Sequence, residues 1–73
     1  MRRPRNDLAA RLDAALAAKD GPALVGLYVE AAGLGGAAEP FHLTHARIHA
    51  LEIADPREPA IRARLAAMGR EDP

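Results

Sequence analysis

The chain has 73 residues and no net charge, with ten acidic and ten basic side chains and histidine counted as neutral. That length bounds it to one domain with a small core. The charge balance withholds the basic excess by which a general nucleic-acid binder displaces counterions, and the lack of cysteine excludes disulfides and thiolate metal sites.

No apolar run approaches the ~20 residues of a membrane span. The basic start Met1-Arg2-Arg3-Pro4-Arg5 is not followed by the apolar core of a signal peptide, so a cytoplasmic protein is expected. The expected ordered core is about residues 6–69, with residues 1–5 and 70–73 flexible. The hydrophobic fraction of 49% overstates the core, because eighteen residues are alanine. Alanine favours helix but carries little area to bury. The composition therefore asks for helices that approach closely over a thin core. Nine arginines to one lysine, with abundant Ala, Gly and Pro, is a bias of GC-rich bacterial genomes.

The first helix is expected to start at Asn6 or Asp7 as N-cap, with Leu8, Leu12, Ala15 and Leu16 as its apolar stripe. Lys19-Asp20-Gly21-Pro22 ends it: Gly21 suits the left-handed position after a helix, and Pro22 suits the first turn of the next. The second helix, about Pro22 to Ala32, carries Leu24, Leu27, Tyr28 and Ala31 on one side and Val25, Val29 and Ala32 on another. Glu30 is its one charge, so it reads as the buried centre of the fold. Gly33, Gly35 and Gly36 end it in a loop. The third helix runs from Glu39-Pro40 to Ala54. The fourth follows Asp55-Pro56-Arg57-Glu58-Pro59, capped by Asp55 or starting at Glu58 or Pro59, with the stripe Ile61, Leu65, Met68 and a stop at Gly69. No alternation of period two marks a strand. The fold class is all-α: four helices as two stacked antiparallel hairpins, in a single domain spanning 1–73.

Sliding the chain against itself supports the two hairpins. At a shift of 36, Ala10, Arg11, Leu12, Ala14 and Ala15 meet Ala46, Arg47, Ile48, Ala50 and Leu51. At a shift of 37, Pro22, Ala23, Leu24, Tyr28 and Ala31 meet Pro59, Ala60, Ile61, Leu65 and Met68. With the segments Ala50-Leu51-Glu52-Ile53-Ala54-Asp55-Pro56 and Leu24-Val25-Gly26-Leu27-Tyr28, the chain resembles the tetratricopeptide-repeat family over about residues 8–68. The resemblance implies a right-handed stack of hairpins that binds other proteins or peptides. The Leu43-Thr44-His45-Ala46 segment is also similar to one in small uncharacterised bacterial helical proteins. The alternative is a small four-helix bundle outside any such family.

The side-chain inventory narrows the chemistry. There is no Ser, Cys, Trp or Gln, and the side-chain hydroxyls are those of Thr44 and Tyr28. Serine and cysteine triads are therefore excluded. Gly33-Leu34-Gly35-Gly36 lacks the lysine and preceding strand of a phosphate loop. So short a chain offers little wall for an enclosed active site, and neither catalysis nor a cofactor is expected.

One constellation remains. His42, His45 and His49 fall within about 60° of one another on a helix. His45 and His49 have the four-residue spacing of two metal-binding imidazoles, and Glu52 one turn on could add an oxygen. One helix cannot close four tetrahedral positions, and Asp13 or Glu30 would have to complete the set. The opposite arc carries Phe41, Thr44, Ile48 and Leu51, read as the core stripe of this helix, which turns the histidines outward. A solvated or half-buried histidine face is thus preferred over a partner contact or a metal site. Imidazoles clustered this way charge together near pH 6.5 and repel. Arg57, Arg62, Arg64 and Arg70 read as the solvated side of the fourth helix, with no aromatic residues interleaved for stacking on bases.

The expected function is a small, non-catalytic protein-interaction module, an adaptor or a subunit, with His42, His45, His49, Arg62 and Arg64 as candidate contacts to a protein partner or a second copy. The alternatives are a metal- or pH-responsive regulator through His45, His49 and Glu52, and a nucleic-acid-associated accessory protein using the basic N-terminus.

Overall fold

The computed structural model describes residues 4–69; Arg2, Arg3 and Arg70, and with them most of the two ends expected to be flexible, lie outside the described residues. Four helices follow one another: α1 (Pro4–Ala18), α2 (Gly21–Ala32), α3 (Glu39–Glu52) and α4 (Glu58–Ala67). The pairs α1–α2 and α3–α4 form the two antiparallel hairpins, joined along α2 and α3, which are the most closely associated pair. The Cα atoms fill a slab of 41 × 27 × 14 Å. In so thin a body few side chains escape water, and the core is correspondingly small.

As its composition requires, α2 is the centre. Leu24, Val25, Leu27, Ala31 and Ala32 are buried along it. Toward α1 they join Leu8 and Ala15. Toward α3 and α4 they join Leu43, Ala46, Ala50, Ile61 and Leu65. Tyr28 packs against both clusters and is the side chain that links them. On α4, Ile61 and Leu65 are buried and Met68 packs beside them, as its stripe predicts. On α1, Leu8 and Ala15 are buried, but Leu16, assigned to that stripe, is 46% exposed.

The turns differ from their sequence reading in instructive ways. α1 begins at Pro4, a residue suited to a first turn, so Asn6 and Asp7 lie inside the helix and neither is its N-cap. The left-handed residue after α1 is Lys19, with φ 52°, not Gly21. Gly21 is instead the first residue of α2, and a Cβ there would stand 2.9 Å from Cγ2 of Ile53. The glycine is needed because the α1–α2 turn lies against the end of α3. Asp20 caps α2 by accepting from the Ala23 N–H at 3.3 Å, and Pro22 fills the first turn as expected. Gly35 and Gly36 take positive φ in the loop after α2, and Gly69 does so after α4.

α3 ends at Glu52 rather than Ala54. Asp55 does not cap α4: it accepts from the backbone N–H of Arg57 at 2.8 Å, and the helix starts at Glu58 with no side-chain cap.

The internal repeat has a different register from the one read by residue identity. Lys19 and Ala54 are both left-handed. Asp20 donates to the Ala15 carbonyl at 2.9 Å, and Asp55 to that of Ala50 at 2.8 Å. Buried Leu8 and Ala15 then correspond to buried Leu43 and Ala50, a shift of 35. The shift of 36 pairs buried Ala15 with exposed Leu51 and fails for that reason.

Candidate interaction surface on α3

The face that α3 turns to the core is made of Leu43, Ala46 and Ala50, each 0% exposed. Two of these are alanines, small residues that suit the close association of α3 with α2. The residues read as its core stripe lie on the other side. Phe41 is 58% exposed, Ile48 50% and Leu51 55%, and Thr44 is exposed between them. That assignment is corrected: selecting the largest apolar residues found the outer face, while the small ones marked the inner. The Thr44 hydroxyl donates to the Pro40 carbonyl at 2.8 Å, one turn back, which leaves its methyl to the stripe. The outer face of α3 is therefore an apolar strip four residues long without a charge in it.

The histidines occupy the flank between this strip and the core. All three rings gather on Tyr28 of α2. The ring of His49 lies nearly parallel to it with centroids 5.6 Å apart, His42 stacks at 6.4 Å, and His45 is tilted at 5.2 Å. Phe41 closes the row from outside, 4.4 Å from His45 and 5.5 Å from His42. The face is thus half-buried, as the preferred reading has it. What covers it is an aromatic side chain of the neighbouring helix.

The chemistry of this row is limited by its hydrogen bonds. His49 Nδ1 donates to Glu52 Oε1 at 3.1 Å, so Glu52 is engaged with an imidazole. The Nδ1 atoms of His42 and His45 are buried and have no hydrogen-bond partner among the described residues. Burial pushes the His45 imidazole below its ordinary value of 6.5, and the neighbouring His49 and then His42 push it further the same way. Among the described residues no group of three or more His, Cys, Asp or Glu side chains could hold a metal ion. Glu30, one proposed completing ligand, is instead held by Arg11 through two hydrogen bonds of 3.0 and 3.1 Å.

The arginines of α4 and the turn before it are organised into ion pairs. Arg64 reaches Glu39 at 3.5 Å, and Arg62 stands 4.0 Å from Glu58, which also accepts from Arg47 at 3.0 Å. Arg57 does more than line a wet face. Its Nε and Nη2 grip Asp55 at 2.9 and 2.6 Å, and Nη2 also donates to the Pro22 carbonyl of α2 at 3.1 Å. Sequence reasoning missed this tie between the hairpins; an Asp-Pro-Arg turn gives no sign of what its arginine will reach.

Two concave regions lie elsewhere. An open groove of about 610 Å³ follows the α1–α2 seam, floored by Ala14, Ala18, Ala23 and Gly26 and closed at one end by the Arg11–Glu30 pair. A smaller one of about 300 Å³ lies between Leu16, Lys19, His49 and Ile53. Both are open to solvent. No helix among the described residues is long and apolar enough to cross a membrane. No protein-family model, curated protein or solved structure matches this chain.

Proposed function

We propose that this chain is a small, non-catalytic protein-interaction module, an adaptor or a subunit of a larger assembly, acting in the cytoplasm. The observation that carries the reading is the strip Phe41, Ile48, Leu51, each at least half exposed, on the side of α3 away from the core. Contiguous apolar surface on a small monomer marks contact sites, and a single helix face of this kind is a common docking element. The tetratricopeptide resemblance of the sequence, over about residues 8–68, implies protein or peptide binding of this kind. His45, in contact with Phe41, and the Arg64–Glu39 pair at one end of α3 would supply the polar rim.

The test is site-specific photocrosslinking in native lysate, with the reactive side chain at Ile48 in one sample and at Ala63, an exposed residue of α4, in another. Specific adducts from position 48 and not from 63 support the reading. No adduct from either, or the same adducts from both, would reject it.

A pH-responsive role is a second reading, supported by one observation: two buried imidazole nitrogens without partners lie within an aromatic stack on Tyr28. Protonating His45 would put a charge where its Nδ1 has no acceptor, and burial already holds its imidazole below the ordinary value.

A further inference from the structure

The cleft of about 300 Å³ lies where the two hairpins meet, between the end of α1, the start of α2 and the end of α3. Buried Leu24 lines it together with Leu16 and Ile53, which are 46% and 40% exposed. Its edge is set by the α1–α2 turn, which two backbone hydrogen bonds hold. The Lys19 N–H donates to the Leu16 carbonyl at 3.2 Å, and the Asp20 N–H to that of Ala15 at 2.9 Å. The hollow is therefore formed before anything enters it.

Charge separates this cleft from the larger groove. In the groove Arg11 and Glu30 satisfy each other at 3.0 Å. In the cleft Lys19 and Glu52 line the same space without pairing. Arg11, Arg47, Arg57, Arg62 and Arg64 each stand with a carboxylate, whereas Lys19 has no ion pair among the described residues. Glu52, with its side chain 64% exposed, uses one oxygen on the Nδ1–H of His49 and leaves the other without a partner among those residues.

An apolar hollow between an unmatched ammonium and a half-used carboxylate fits a ligand of the reverse polarity. We infer that the cleft binds a free apolar α-amino acid of about the size of leucine. Its carboxylate meets the Lys19 ammonium, its ammonium meets Glu52, and its branched side chain lies on Leu16, Leu24 and Ile53. His49 has committed its Nδ1 proton to Glu52, so neutral His49 offers Nε2 as a second acceptor for the ligand's ammonium. A space of about 300 Å³ is at the small end of ligand sites, which suits one branched side chain and not a long acyl chain. The site shares no residue with the strip Phe41, Ile48, Leu51, so the two functions are separable by mutation.

An open cleft covers only part of so small a ligand, and the dissociation constant is of order 1 mM. Amide chemical shifts of the full chain, followed by NMR as L-leucine is added to about 20 mM, read binding in this range. The expected result is saturable shifts centred on Leu16, Lys19, Leu24, Glu52 and Ile53. Glycine lacks the side chain, 4-methylpentanoate the ammonium and isoamylamine the carboxylate, and each should bind at least about tenfold more weakly. Lys19→Asn, which suits the left-handed backbone, and Glu52→Gln, which can still accept from His49, should each weaken L-leucine about tenfold with helical circular dichroism retained. Absence of saturable shifts, equal binding of glycine, or indifference to both variants overturns the inference. N-acetyl-leucine, which imitates the end of a peptide, should also bind weakly; if it matches L-leucine, the cleft takes peptide C-termini and the amino-acid site is rejected.

Discussion

Lys19 and Ala54 share one backbone conformation, φ 52° in both, at equivalent places after α1 and α3. Each is followed by an aspartate whose N–H returns to a buried alanine carbonyl, Ala15 or Ala50. This is the left-handed helix ending that glycine usually occupies, because a Cβ there crowds the backbone by about 1–2 kcal/mol. Lys19→Gly and Ala54→Gly should therefore each stabilise the fold by up to about 1 kcal/mol, the gain being offset in part by the greater freedom of glycine in the unfolded chain. For a domain of this size that corresponds to a rise in melting temperature of about 4–8 °C. A fall in midpoint for both variants would contradict the shared ending.

The inner and outer faces of α3 make a sharper prediction. Leu43 is fully buried and Ile48 is half exposed, although both are large aliphatic residues on one helix. Leu43→Ala should cost about 2–5 kcal/mol, enough to unfold most of a domain whose whole stability is about 3–5 kcal/mol. Ile48→Ala should stay within about 0.5 kcal/mol in dilute solution. Urea titration of both variants checks this, and equal losses would return Ile48 to the core.

Where the sequence was legible, the signal was a pattern that alanine did not obscure. α2 reads as central because one charge in twelve residues leaves it no wet face. The α4 stripe reads correctly because Ile61 and Leu65 are its only large apolar residues before Met68. α3 misled because it carries large apolar side chains on two arcs. Size favoured Phe41, Ile48 and Leu51, while closeness to α2 selected Ala46 and Ala50. The composition already asked for helices in close approach; the further step is that in such a fold alanine marks the inside. The same confusion moved the repeat register by one, since identities were matched where burial was not. The role of Tyr28 was beyond reach: a tyrosine on a buried helix gives no hint that three imidazoles of another helix will lie on it.

The histidine row predicts a loss of stability on acidification. His45 is held below 6.5 by burial first, then by His49 and His42. Its folded value lies under its unfolded one, so the unfolded chain binds the proton more readily and stability falls as pH drops below about 6.5. The groups around it are Tyr28 from α2, Phe41, and the His49–Glu52 pair on α3, and none offers its Nδ1 an acceptor. Melting at about pH 7.5 and about pH 5 should show a lower midpoint in acid, and His45→Gln should narrow the difference by removing the titrating group. Equal midpoints in the wild type would dispose of this account.

A second acid transition should follow at lower pH, from the clamp between the hairpins. The Asp55 carboxyl is lowered from 3.8 to about 2, chiefly by its side-chain hydrogen bonds from Arg57 and then by the Arg57 backbone N–H. A lowered carboxylate contributes stability that is fully present above its unfolded value and is lost as pH falls through its folded one. The window is therefore about pH 4 down to about pH 2, below that of His45. Protonation would release Arg57, whose Nη2 also holds the Pro22 carbonyl at 3.1 Å, so the start of α2 and the α3–α4 turn loosen together. Asp55→Ala should lower the midpoint at neutral pH and remove the drop within that window. Arg57→Lys should act in the same direction, because an ammonium cannot grip both carboxylate oxygens and Pro22 at once. Thermal melts of the three proteins at about pH 7 and about pH 3 decide the matter. If the wild type and Asp55→Ala lose the same number of degrees between the two, the clamp is not what titrates.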